Sequence, residues 1–157
     1  MNNVTEARGT AAKRYFTEGY NCAQAVCLAF ADLLPIDKKT LVMLSSSFGG
    51  GMGRLREVCG AVSGMFIVIG ALSGYTDISG KAEKAEHYAR IQELANRFKA
   101  ENGYIVCREL LGLDGKAQSP VPESRTPEYY KKRPCAEYCE CAAEILENYL
   151  KENGYEI

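Results

Sequence analysis

Cysteine is the residue type in this chain with the clearest capacity for chemistry, with seven among 157 residues. Three cysteines are predicted to stand at the start of a helix. Cys22 directly follows Asn21, a favoured N-cap residue. Cys135 directly follows Pro134, and Cys107 lies early in a short predicted helix. Because unpaired N–H groups and the helix dipole favour a thiolate in a first turn, we expect lowered thiol pKa values here.

Cys59 belongs to the same group if its helix starts late enough. It follows a glycine-rich segment, 49–53, and precedes a long apolar stretch. If the helix begins near Glu57, Cys59 lies in the first turn like the other three. If the helix begins near Gly53, Cys59 is an interior residue packed among neighbours.

The three remaining cysteines are expected to play smaller parts. Free cysteine is among the most buried residue types, so Cys27 and Cys139 are interpreted as buried, inert thiols, and Cys141 as a flanking residue. Cys139 lies one helical turn after Cys135, so the two thiols could face one ligand or form a strained bridge. Their spacing matches neither the redox Cys-x-x-Cys motif nor a common zinc pair.

Three functions fit this pattern. In the first, one thiolate attacks an acceptor and a second cysteine resolves the mixed disulfide, with Cys22 and Cys59 as the expected pair. In the second, Cys22, Cys59, Cys107 and Cys135 together ligate zinc or an iron–sulfur cluster. In the third, the cysteines are merely buried and the chain is a non-catalytic helical interaction module. An odd number of cysteines argues against a structural disulfide framework.

Other catalytic chemistry has little to draw on. His87 is the only histidine and is expected to be a solvated side chain among charged neighbours, which disfavours cysteine–histidine catalysis and mixed zinc ligation. The segment 49–53 fits neither phosphate-loop motif, so we predict a structural hinge with left-handed backbone. Its N–H groups, with Arg54 and Arg56, could steady an anion or a thiolate near Cys59.

Apolar periodicity predicts helices throughout, and no alternation of period two appears. The expected fold is all-α: one domain, residues 1–157, built as a bundle of about six helices around a central glycine-rich apolar helix. The segment 114–133, with three prolines, is predicted to be a long surface loop. Apolar spacing over 4–16 predicts a first helix behind a Thr5 cap that stops at Gly19. Further helices are predicted at 22–34, behind an Asp37 cap to 48, at 55–72, 81–101 and 105–111, and from about 134 onward.

The balance of charged residues argues against two classes of binding partner. With 19 basic and 20 acidic side chains, the chain has no electrostatic footprint for nucleic acid or an anionic membrane. The uncharged stretch 58–75 contains several glycines and serines and is interpreted as a core helix rather than a membrane span. The N-terminus has no basic start or apolar run, so a cytoplasmic location is expected. The pairs Gly60/Gly64 and Gly70/Gly74 would allow close helix approach and are compatible with a homodimer.

Three segments together resemble a known family: 21–26 (NCAQAV), 48–53 (FGGGMG) and 59–64 (CGAVSG). They look like the putative redox-active family named for its C-GCAxxG-C-C cysteine pattern, and the match continues through 107–112 to Cys135. The resemblance implies that the four characteristic cysteines are Cys22, Cys59, Cys107 and Cys135. It implies redox activity, as in a thiol-dependent oxidoreductase acting on a partner protein or a small thiol or disulfide, and names no substrate.

Overall fold

The fold is all-α, as predicted. The computed structural model describes residues 5–114 and 117–157, which form eight regular helices, a four-residue helical turn at Gly49–Met52 with left-handed backbone at Gly50 and Gly51, no strand and one isolated antiparallel bridge. Two single turns of 3-10 helix, Ala31–Leu33 and Ser46–Phe48, follow the second and third helices. The helices are α1 (Arg8–Thr17), α2 (Cys22–Leu28), α3 (Lys38–Ser45), α4 (Gly60–Ser73), α5 (Lys81–Asn102), α6 (Cys107–Leu110), α7 (Pro127–Lys132) and α8 (Cys135–Glu152).

The apolar helix α4 forms the centre of the core. Its first six residues are buried, as are Val68 and Ile69 one turn further on. It packs against α2, α5 and α8, while α1 packs against α8. Gly64 makes the close approach to α2 feasible, because a Cβ there would lie only 2.8 Å from the Cβ of Val26. No helix of the described residues is both long enough and apolar enough to cross a membrane.

The second glycine pair, Gly70 and Gly74, does not bring another helix close to α4. A Cβ at Gly70 would meet nothing within 4 Å, and one at Gly74 would meet only the backbone of its own helix. The prediction of close packing is therefore confirmed for Gly60 and Gly64 and wrong for Gly70 and Gly74.

Several helices are shorter than the periodicity suggests. The central helix begins at Gly60 rather than near 55, because Arg54 and Arg56 have left-handed backbones, with φ of 67° and 60°. The second helix ends at Leu28, separated by two residues from a 3-10 turn, and the third ends at Ser45, directly before another. The first begins at Arg8 without the predicted Thr5 cap. Val4, which belongs to the apolar spacing that predicts this helix, lies outside the described residues.

The prediction of one long loop over 114–133 is wrong in its second half. Thr126 accepts a hydrogen bond from the N–H of Tyr129 at 3.2 Å, and Pro127 occupies the first turn of α7. Both are standard helix-start features, which the three prolines of the segment obscured.

His87 is buried, contrary to the prediction of a solvated side chain. Only 9% of it is exposed, and its ring lies edge-on to that of Tyr75, with centroids 6.1 Å apart. Burial and the nearby Arg90 lower its pKa, so the imidazole is neutral near pH 7.

Candidate functional site: a cavity lined by cysteines

The four cysteines singled out in the sequence line one cavity of about 210 Å³. We call this space the cysteine cavity. All seven cysteines of the chain are free thiols. Besides Cys22, Cys59, Cys107 and Cys135, the walls comprise apolar side chains (Phe16, Leu110, Leu111, Pro122, Tyr129, Tyr138), charged ones (Arg54, Arg56, Glu123, Arg125), Asn21 and four glycines (Gly49, Gly50, Gly51, Gly60).

Each of the four cysteines stands at a helix start. Cys22, Cys107 and Cys135 are the first residues of α2, α6 and α8, and Cys59 is the N-cap of α4. The placement predicted for the first three is therefore confirmed, and the question over Cys59 is resolved in favour of the late helix start. Convergence of these helix starts brings the four thiols to one cavity.

A capping box fixes the position of Cys22. The N–H of Gln24 donates to Asn21 Oδ1 at 2.9 Å, and the N–H of Asn21 donates to Gln24 Oε1 at 3.1 Å. Asn21 Nδ2 also donates to the carbonyl oxygen of Ser46 at 3.1 Å. These bonds satisfy N–H groups that a helix start otherwise leaves unpaired, and they attach Cys22 to the end of α3.

A short antiparallel bridge between Val58 and Val106 places Cys59 beside Cys107. The N–H of Cys59 donates to Ile105 O at 2.8 Å, and the N–H of Cys107 donates to Glu57 O at 2.6 Å. Since successive side chains of an extended segment point to opposite sides, the two cysteines lie on the side away from the valines. The bridge thus presents both thiols to the cavity.

Two glycines allow the cysteines to approach one another. A Cβ at Gly60 would lie 3.0 Å from the Cβ of Cys22, so only glycine lets α4 begin against α2. A Cβ at Gly51 would lie 2.7 Å from the Cβ of Cys107, and Gly51 has a φ of 66°. The left-handed connection predicted for 49–53 is confirmed at Gly50, Gly51 and Gly53.

The prediction of lowered thiol pKa values is wrong, because burial outweighs the helix-start effect. Burial raises the pKa of Cys59 to about 12, although the N–H groups of Ala61 and Val62 favour its thiolate. Cys59 makes no capping hydrogen bond. Burial also raises the pKa of Cys107, and there the neighbouring Arg56 opposes the shift. The cavity therefore holds neutral thiols at pH 7.

The Cys22 and Cys135 thiols lie close enough to affect each other's pKa. Proximity to Cys135 favours the Cys22 thiolate, while the neighbouring Cys139 and burial act in the opposite direction and leave the pKa of Cys22 raised. The neighbouring Cys22 thiol, followed by burial, raises the pKa of Cys135.

Cys139 lies closer to the site than its sequence position suggested. It is fully buried, as predicted, yet its Sγ donates to Cys22 O at 3.8 Å, and the neighbouring Cys22 thiol opposes the rise that burial causes in the pKa of Cys139. The signal was its spacing of one helical turn from Cys135. Cys27 is a buried core thiol with its Sγ 3.7 Å from Gly64 O, and Cys141 contacts Glu101 outside the cavity.

Arg56 approaches a different thiol from the one expected. The sequence suggested that Arg54 and Arg56 steady a group near Cys59, but Arg56 Nη1 donates to Cys107 Sγ at 3.5 Å. Arg56 is only 6% exposed. Its guanidinium also donates to Gln118 Oε1, from Nε at 3.0 Å and from Nη2 at 2.6 Å.

The zinc or iron–sulfur hypothesis gains no support from the arrangement of side chains. Across the two described ranges, no three or more histidine, cysteine, aspartate or glutamate side chains are arranged to hold a metal ion. Although Cys22, Cys59, Cys107 and Cys135 line one cavity, they do not form such a ligand set.

The raised thiol pKa values predict a loss of stability in alkali. Between pH 9 and 12 the unfolded chain loses thiol protons that the folded chain keeps, so the free energy of unfolding falls as the pH rises. Burial raises the pKa of Cys27 to about 12. We expect Cys27→Ser to make this fall shallower by up to about 1.4 kcal/mol per pH unit. Urea unfolding of both proteins from pH 7 to 11 measures the difference, and equal slopes would contradict the prediction.

Comparison with known proteins supplies one match. A family model described as "Putative redox-active protein (C_GCAxxG_C_C)" matches residues 20–149. No curated protein matches the chain significantly. No solved structure does either.

Proposed function

Because the chain belongs to the family described as "Putative redox-active protein (C_GCAxxG_C_C)", we propose that its cysteine cavity carries out thiol–disulfide exchange, with Cys22 and Cys135 as the redox pair. The observation that carries the proposal is that Cys22 and Cys135, the first residues of α2 and α8, line one cavity and lie close enough to affect each other's pKa. Two neighbouring thiols need little movement to form a disulfide.

Accessibility favours the same pair over Cys22 with Cys59. Cys22 and Cys135 are both half-buried, whereas Cys59 is buried. A sulfur that attacks a partner disulfide must be reachable, and either member of the Cys22–Cys135 pair meets this requirement while Cys59 does not. Cys59 and Cys107 line the same cavity and remain thiols in this proposal.

The reaction consists of two exchanges. The Cys22 thiolate bonds to one sulfur of a partner disulfide, the partner's S–S bond breaks, and the departing thiolate takes up the proton that Cys22 released. Cys135 then loses its proton and attacks the Cys22 sulfur, which forms the Cys22–Cys135 disulfide and releases the second thiolate to take up that proton. The protein is oxidised by two electrons, and the partner is reduced to two thiols.

The raised thiol pKa values set the pH dependence of the first step. At pH 7 only a small fraction of Cys22 is thiolate, and that fraction rises with pH. We therefore expect a slow exchange at neutral pH that accelerates as the pH increases.

A thiol count across a redox titration tests the proposal. We expect equilibration with increasingly oxidising dithiol–disulfide buffers to lower the number of alkylatable thiols from seven to five, since one disulfide consumes two of the seven. Return to a reducing buffer should restore all seven. A count that stays at seven, or a loss that reduction does not reverse, would contradict the proposal.

A further inference from the structure

We propose that the disulfide partner of the cysteine cavity is a small molecule bearing a carboxylate, and that Arg56 and Arg54 bind this carboxylate. The inference rests on the proposed thiol–disulfide exchange, because it names the substrate class of the same cavity. The observations that carry it concern the charges of the cavity rather than its thiols.

Arg56 is a buried cation whose partners are all neutral. Its contacts are the Oε1 atom of Gln118 and the Sγ atom of Cys107, and burial keeps the Cys107 thiol protonated at neutral pH. The described carboxylates nearby pair elsewhere, Glu57 with Arg108 and Glu123 with Arg133, each at 2.9 Å. A buried charge without a counter-charge is costly, so an anion entering the cavity would stabilise this site.

A second guanidinium converges on the same neutral oxygen. Arg54 Nη2 donates to Gln118 Oε1 at 3.2 Å, beside the two hydrogen bonds that Arg56 makes to that atom. Glu123 is the one acidic residue lining the cavity among the described residues, and it lies 3.9 Å from Arg54 while pairing more closely with Arg133. Two cations around one uncharged acceptor repel each other, and an anion between them would relieve that repulsion.

Arg125 adds a third positive charge to the wall. Its guanidinium donates to the carbonyl oxygens of Phe16 and Tyr20, at 2.9 and 3.1 Å, and forms no ion pair with a described carboxylate. The charged side chains that line the cavity are thus three arginines and one glutamate. The cavity is positively charged overall while its thiols are protonated.

The backbone holds Arg54 and Arg56 in conformations that side chains rarely adopt. Both have positive φ, and hydrogen bonds from Gln118 N to Arg54 O at 3.0 Å and from Arg108 N to Arg56 O at 3.2 Å maintain them. Glycine would adopt this backbone without strain, yet the chain places arginine at both positions. Such retained strain is typical of binding sites.

The arrangement suits a carboxylate carried close to a sulfur. Planar guanidinium groups match the two oxygens of a carboxylate. The cavity of about 210 Å³ admits only a small molecule or a narrow group, and it contains both the arginines and the Cys22–Cys135 pair. A ligand that contacts both must carry an anion close to its sulfur.

Three small disulfides of different charge test the inference. Dithiodipropionate carries two carboxylates, hydroxyethyl disulfide is neutral, and cystamine carries two ammonium groups. Each rate of oxidation of the reduced protein is divided by the rate of the same disulfide with a free small thiol, which removes differences in intrinsic reactivity. At low salt we expect dithiodipropionate to be favoured over cystamine by about tenfold or more, with the preference shrinking as salt screens the arginines.

Arginine variants assign the preference to the cavity. We expect Arg56→Gln and Arg54→Gln each to reduce the preference for dithiodipropionate over cystamine several-fold. Arg97→Gln, which removes a cation between α5 and α8, should leave that preference unchanged. Equal normalised rates for the three disulfides, or an undiminished preference in both cavity variants, would overturn the inference.

A redox-inert probe separates this inference from the proposed exchange. Methylthiopropionate carries the carboxylate and the sulfur but cannot be reduced by thiols. We expect calorimetry to detect its binding to the wild-type protein and a weaker binding to Arg54→Gln. If no disulfide oxidised the protein, the proposed exchange would fail. Binding of methylthiopropionate would then test carboxylate recognition by itself, and absence of that binding would overturn the inference.

Discussion

Cys135→Ser is expected to abolish the reversible oxidation of the protein. The variant retains six thiols, and all six should remain alkylatable in buffers that lower the wild-type count from seven to five. Serine is close in size to cysteine and can donate and accept hydrogen bonds, so it preserves the start of α8. What it removes is the sulfur that attacks the mixed disulfide on Cys22.

With a linear disulfide such as hydroxyethyl disulfide in place of the dithiol buffer, whose second thiol would displace it, the first exchange should leave a stable mixed disulfide on the variant. We expect mass spectrometry to find one partner thiol attached to Cys22 in Cys135→Ser and none in the oxidised wild-type protein. This trapped species distinguishes loss of resolution from loss of reactivity.

Cys141→Ser is the matched control, because Cys141 lies on the same helix outside the cavity. Its Sγ contacts Glu101 Oε2 at 3.0 Å rather than another cysteine. The number of alkylatable thiols in Cys141→Ser should fall reversibly from six to four. A fall from six to four in Cys135→Ser as well would show that another pair, such as Cys22 with Cys139, carries the oxidation.

Gly64→Ala is expected to destabilise the fold by roughly 1 to 3 kcal/mol, the usual cost of overpacking a core. The added methyl group would lie 2.8 Å from the Cβ of Val26 and 3.1 Å from the carbonyl oxygen of Ala23, so α2 must move away from α4. Neither neighbour is the flexible end of a long side chain. Chemical denaturation of the reduced protein measures the loss.

Gly70→Ala is the control on the same helix. A methyl group at Gly70 meets nothing within 4 Å, and alanine favours a helix interior over glycine by up to about 1 kcal/mol. We therefore expect Gly70→Ala to match or exceed the stability of the wild-type protein. Equal destabilisation by both substitutions would show that the close approach of α2 and α4 is not what requires glycine at Gly64.

Local sequence signals were sufficient to place the cysteines at helix starts. The Asn21 and Gln24 pair predicted the start of α2 because a capping box depends only on residues three apart. The glycines of 49–53 predicted a left-handed connection for the same reason. The missed start of α7 also had a local signal, in Thr126 and Pro127, which the surrounding prolines outweighed.

Contacts between distant segments had no such signal. Nothing near Val58 indicates that it pairs with Val106, and this bridge is what brings Cys59 beside Cys107. The approach of Cys22 and Cys135 to one cavity depends on how α2 packs against α8. The predicted direction of the thiol pKa shifts was wrong for the same reason. A helix start can be read from local sequence, whereas burial depends on how distant segments pack together.

Identification of the disulfide in the oxidised protein tests the central claim most directly. The protein is oxidised in a dithiol–disulfide buffer, its free thiols are blocked, and peptide mapping then shows which cysteines are linked. We predict a single linkage between Cys22 and Cys135, with Cys59, Cys107 and Cys139 recovered as blocked thiols. A linkage that joins any other two cysteines, or oxidation without an intramolecular linkage, would contradict the account.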